Sequence, residues 1–163
     1  DVEYDINIPE GDVLIPCDSQ QISQVLTNVL KNASESVSAR VDAEGEDGEK
    51  GYIGLTLSET GAASGENNSR EVKIVIEDNG VGLPKEDRDR LTEPYVTTRT
   101  KGTGLGLAIV KKIMEDHTGD LILEDRGFGG ASISLVFRPG SNPQQLPAVG
   151  QENEETEMNA HGT

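Results

Sequence analysis

The chain has 163 residues, with 30 Asp and Glu against 14 Lys and Arg and a formal net charge of −16. That length suits one domain with a real core and is too short for two ordinary ones. So acidic a surface, with aromatic residues at only 3% and no basic patch, argues against nucleic acid and anionic membranes as partners. The single cysteine, Cys17, excludes an internal disulfide and fits a reducing compartment. Nothing resembles a signal peptide, and no apolar run could span a bilayer, so a cytoplasmic domain without membrane contact is expected.

In chain order, Val2 to Ile8 alternates as a half-buried strand does, and Val13 to Ile15 offers a second short one. Asp18 reads as a helix N-cap, with Gln21 in capping-box position. Ile22, Val25, Leu26, Val29, Leu30, Ala33 and Val37 then recur at helical spacing, which sends one face into a core. From Asp42 to Lys50 the pattern dissolves into glycine and acid. Tyr52 to Leu57 and Val72 to Ile76 read as a hairpin whose long tip runs from Glu59 to Ser69. A glycine-rich turn follows over Asp78 to Gly82, then a short helix from about Pro84. Glu93 to Thr103 has neither period and reads as a loop, and Leu105 to His117 restores a helix. Leu121 to Leu123 and Ile133 to Phe137 close the fold through Gly127 to Gly130. This order predicts a two-layer α/β sandwich with helices on one sheet face, occupying residues 1–139. Residues 140–163 carry almost no apolar side chains and read as a disordered acidic tail.

Three segments carry chemistry. On the first helix, Asn28 and Asn32 are four apart and share a face, with Lys31 alongside. An amide oxygen is a hard ligand suited to Mg²⁺ and a lysine suits phosphate; a routine polar helix edge is the alternative. Asp78-Asn79-Gly80-Val81-Gly82 follows a strand, so Asp78 can accept from an exocyclic amine while the glycines let a flat base approach; the alternative is an Asn-Gly hairpin turn. Lys101-Gly102-Thr103-Gly104-Leu105-Gly106-Leu107 opens a helix whose bare N–H groups form an anion site, unless it is only a hinge. It lacks the Lys-Ser/Thr ending of a Walker A loop and the third glycine of a dinucleotide fingerprint. Glu35 is placed to pair with Lys31, and two His with one Cys do not make a zinc site.

In this order and at these separations, the three segments resemble the asparagine box and the two glycine boxes of the GHKL ATPases. Between the glycine boxes, Glu93-Pro94-Tyr95-Val96-Thr97-Thr98-Arg99 resembles the phenylalanine box and ATP lid of sensor histidine kinases. The resemblance runs from Asp1 to Pro139, and the stretch from Leu91 to Leu107 is most similar to NtrY-type nitrogen-regulation sensors. It implies the mixed sheet of the histidine-kinase-like ATPase fold, with flexible loops near 42–50 and 59–70 and a lid at 92–103.

It further implies that Asn32 ligates the Mg²⁺ of bound ATP or ADP, with Asn28 in the same pocket and Lys31 on phosphate. Asp78 would read the adenine amine, and Gly80 and Gly82 would shape the base pocket. Gly102, Thr103, Gly104, Leu105, Gly106 and Leu107 would meet the phosphates, with lid residues Tyr95, Thr97, Thr98, Arg99 and Lys101 as further nucleotide contacts and Ser132 near the adenine. Thr92 stands where that box has its first aromatic, leaving Tyr95 to anchor the lid.

Asn28 occupies the place where gyrase-, MutL- and Hsp90-type members carry a water-activating glutamate, and an amide takes no proton at neutral pH. The implied activity is therefore phosphoryl transfer from ATP to a protein histidine. His117 and His161 are not directly followed by an acidic residue, as the family's phosphorylated histidine is. The acceptor is expected on the dimerisation domain of the same kinase, and the phosphate then passes to a response regulator of NtrX-like kind. This domain would be monomeric within a homodimeric parent anchored in the inner membrane. The alternatives are an anti-sigma-type serine kinase of the same fold and a non-catalytic docking module.

Overall fold

The computed structural model describes residues 2–45, 48–61, 70–85, 88–96 and 104–139. It is an α/β fold in which β1 (Val2–Asn7), α1 (Ser19–Glu44), β2 (Gly51–Thr60), β3 (Glu71–Asp78), α2 (Gly106–Asp116), β4 (Asp120–Asp125) and β5 (Ala131–Phe137) follow in turn. The five strands form one mixed sheet in the order β1-β2-β3-β5-β4. β1 pairs with β2 in parallel, which requires a crossover, and α1 supplies it. All other pairs are antiparallel.

Register places Ile53, Val72, Ile76, Ile133, Leu135 and Phe137 on one face. There they meet Val25, Val29, Ala33 and Val37 of α1 and Val110, Ile113 and Met114 of α2 in a single core. Each fully buried Val or Ile contributes about 1.5–3 kcal/mol. The helices thus cover one sheet face, and they hold the C-terminal end of β3 against the middle of α1.

Asp18 caps α1 by accepting from the N–H groups of Gln20 (2.9 Å) and Gln21 (3.1 Å). The return bond of a capping box is replaced: the Asp18 N–H donates to His117 Nε2 at 3.0 Å. His117 Nδ1 lies 2.8 Å from the Ile113 carbonyl and must carry the proton. The imidazole therefore bridges the start of α1 and the end of α2. α1 also runs past Asp42, because Val41 continues the apolar stripe from Val37.

Two strand expectations change. Val13 to Ile15 forms no strand; Val13 and Ile15 pack on the core while Leu14 faces out, its carbonyl held by Arg70 Nη1 at 2.7 Å. Alternation reported one-sided burial there, not pairing. β1 is an edge strand whose Tyr4 and Ile6 are 64% and 68% exposed, so it is not half-buried. No helix is seen at Pro84; a 3-10 turn at Arg88–Arg90 lies nearest. The proposed tail at 140–163 and most of the loop tip at 59–70 lie outside the described residues. No helix among the described residues is long and apolar enough to cross a membrane.

Candidate nucleotide-binding site

One cleft of about 520 Å³ opens between α1, the end of β3, the segment before α2 and the start of β5. Asn28, Lys31 and Asn32 reach it from α1, Asp78 and Gly82 from the turn after β3, and Gly104 to Leu107 from the start of α2. Three segments distant in sequence therefore converge on one cavity.

At one end stands Asp78, only 3% exposed. Its Oδ1 accepts from the Gly80 N–H at 2.8 Å, which folds the chain tightly after the strand. Asn79 is no hairpin corner. Its Oδ1 accepts from the Tyr52 N–H at 2.7 Å and its Nδ2 donates to the Lys50 carbonyl at 2.9 Å, tying the turn to β2. The Val81 N–H donates to the Ser36 carbonyl at 3.3 Å, tying the same turn to α1. Gly80 is obligatory, since a Cβ there would sit 2.2 Å from Ser36 Oγ.

Gly130 was not foreseen as part of this end. It has φ +89°, and a Cβ would lie 1.9 Å from the Asp78 carbonyl oxygen. The β4–β5 hairpin thus backs directly onto the Asp78–Asn79 turn. Its sequence signal was the Gly129-Gly130-Ala131 run, which reads as an ordinary closing turn. Ala131 and Ile133 line the cleft, whereas Ser132 points to the other sheet face by strand alternation and is absent from the lining. With Val81, Leu83, Pro84, Leu91, Val96 and Ile109 they give the cleft much apolar lining beside the Asp78 carboxylate, which suits a flat base carrying an amine.

The other end is built for anions. α2 begins at Gly106 with no side-chain cap on its N-terminus, leaving N–H groups and the positive dipole end facing the cleft. Gly106 lies across from Asn32: a Cβ there would be 3.8 Å from Asn32 Nδ2 and 4.0 Å from Oδ1. Asn28 Nδ2 is buried in the cleft and has no hydrogen-bond partner. Lys31 stands at the rim, its side chain 71% exposed and 3.9 Å from Glu35, the pair expected at that spacing. An exposed contact of that kind contributes little and yields readily to a ligand.

Tyr95 and Gly104 are joined through their backbones. The Tyr95 N–H donates to the Gly104 carbonyl at 3.0 Å, and Gly104, at φ +67°, packs against the Tyr95 backbone. Tyr95 itself has φ 66° and a 78% exposed ring. Among the described residues Tyr95 is not part of the cleft lining, whereas its neighbour Val96 is. Thr92 opens onto a separate hollow beside Met114, Leu121 and Leu123. Thr97, Thr98, Arg99, Lys101, Gly102 and Thr103 lie outside the described residues.

The family model for histidine kinase-, DNA gyrase B- and HSP90-like ATPases matches residues 17–141. The chain belongs to this ATPase family. It is 44% identical over 142 residues, 85% of its length, to nitrogen regulation protein NtrY of Azorhizobium caulinodans. It is 34% identical over 143 residues, 88% of its length, to sensory histidine kinase/phosphatase NtrB of Rhizobium leguminosarum. The chain spans 16% and 35% of these two relatives. Among solved structures it is similar to the catalytic domain of histidine kinase ThkA, with TM-score 0.66 and 28% identity over 84% of this chain and 78% of that one. The matched ATPase region contains all the described cleft segments, and the family supplies the nucleotide that the cleft's two ends suit.

Proposed function

We propose that this domain holds Mg²⁺-ATP in the cleft and delivers the γ-phosphoryl group to a histidine on the dimerisation domain of the same kinase. The observation that carries the reading is the convergence of Asn32, Asp78 and the uncapped start of α2 on one cavity. A base at Asp78 and phosphates at Gly106 are the complementary occupants of its two ends.

The donor set fits Mg²⁺ as part of a nucleotide complex. Among the described residues no cluster of three His, Cys, Asp or Glu could hold a metal alone, but Asn32 offers a hard amide oxygen, and Mg²⁺ is commonly held by one or two protein groups plus phosphates. When bound, the ion neutralises phosphate charge, which matters for a protein of net charge −16. The protein's own groups do the rest. Asp78 fixes the base, the α2 N-terminus and Asn28 hold phosphate oxygens, and Lys31 swings in from the rim. Asn28 cannot act as a base toward water. The γ-phosphorus therefore awaits an imidazole nitrogen: an N–P bond forms, the bond to the β,γ-bridging oxygen breaks, and ADP leaves with that electron pair.

In this reading the phosphohistidine then passes its phosphoryl group to an aspartate of a response regulator of NtrX-like kind. The parent is a homodimer anchored in the inner membrane with this domain in the cytoplasm. The test adds a separate dimerisation-helix domain to this chain with γ-labelled ATP. Acid-labile, base-stable label on the added domain supports the reading; acid-stable label marks a serine kinase of the same fold, and no transfer despite ATP binding marks a docking module.

A further inference from the structure

Among the described residues that line the cleft, Ser36 has a buried hydroxyl that the fold does not use. It lies one turn beyond Asn32 on the same face of α1, is 4% exposed and lines the cleft. Its Oγ has no hydrogen-bond partner. A hydroxyl inside a helix normally bonds back to a carbonyl four residues earlier. Thr27, in this same helix, does so with the Ser23 carbonyl at 2.8 Å. Ser36 does not, although its backbone carbonyl is occupied by the Val81 N–H. The orphan oxygen is pressed against Gly80, the residue whose N–H holds Asp78.

We infer that the Ser36 hydroxyl is a second base-recognition group, completing with Asp78 a two-point reader of the adenine edge. This rests on the nucleotide reading given above. A carboxylate only accepts, whereas a hydroxyl both donates and accepts. Adenine presents on one edge an amine that donates and, beside it, a ring nitrogen that accepts. Asp78 matches the first and Ser36 the second. A site whose buried polar groups are satisfied only by the right ligand discriminates strongly against the wrong one. In the ligand-free domain the same hydroxyl is a buried group without a partner, which costs stability.

The experiment measures Ser36→Ala in two ways. Direct titration should show ADP binding weakened about threefold to tenfold, the loss of one hydrogen bond, with inorganic tripolyphosphate binding unchanged. Thermal unfolding without ligand should show a higher Tm than wild type. That gain must exceed the one from Ser38→Ala, at an exposed position of α1, which reports helix propensity alone. Unchanged ADP affinity would overturn the Ser36 assignment while leaving the nucleotide site standing. So would a parallel loss of ADP and tripolyphosphate binding with a lowered Tm, the signature of a packing role. Wild-type protein that binds neither ligand would instead refute the nucleotide reading itself.

Discussion

At the base end of the cleft, the polar groups of the Asp78–Val81 turn are drawn into bonds that tie it to β2 and to α1, and Gly130 closes it from behind. At the phosphate end, Asn28 Nδ2 has no partner, Lys31 stands mostly in solvent and α2 starts without a side-chain cap. In the proposed reading the Asp78–Val81 turn is preorganised by the protein, whereas Ser36 and the phosphate end are completed by what they bind. Preorganised contacts set affinity and selectivity, while groups waiting on the phosphates act on transfer.

Substitutions should sort by that division. The largest effect is expected from Gly130→Ala, which adds a side chain at positive φ and drives it into the Asp78 backbone. Urea unfolding should show a loss of about 3 kcal/mol, and ADP binding should fail together with it. Asp78→Asn keeps the size and an oxygen for Gly80 but disturbs reading of the amine. Calorimetry should show ADP weakened by about tenfold to a hundredfold, the loss of a charge-assisted hydrogen bond, with tripolyphosphate unaffected. Tripolyphosphate weakened equally would erase the distinction between the ends.

Asn32→Ala should act at the other end. Chelating Mg²⁺ should weaken ATP binding to wild type by about tenfold, as the loss of a few charge-assisted contacts would, and leave the variant nearly indifferent. The smallest effect belongs to Tyr95→Ala. An exposed ring outside the cleft should change stability by less than about 0.5 kcal/mol and ADP affinity by less than about twofold. A large loss would support the role of lid anchor that its sequence position implies.

The three cleft segments were legible in the sequence because each is local. Asn28 and Asn32 share a helix face by spacing, Asp78 ends a run of strand residues, and Gly104 to Gly106 precede a helix by period alone. Ser36 was within the same reach, being four residues past Asn32, but a serine at helical spacing gives no sign that its hydroxyl lacks a partner. Gly130 could not be read at all, because its constraint comes from a turn some fifty residues away in sequence. The same limit explains the strand expected at Val13 to Ile15, where alternation said which side faces the core and nothing about a neighbouring strand. It also explains β1, whose apolar row lies on the helix side of the sheet but at an edge.

Backbone amide chemical shifts, followed first with tripolyphosphate and then with Mg²⁺-ADP, test the two-ended cleft most directly. Tripolyphosphate should move Gly106 and Leu107 and leave Gly80 and Ser36 in place; ADP should move both sets. If the two ligands shift the same amides, or ADP leaves Gly80 and Ser36 untouched, then no single nucleotide spans from Asp78 to the start of α2.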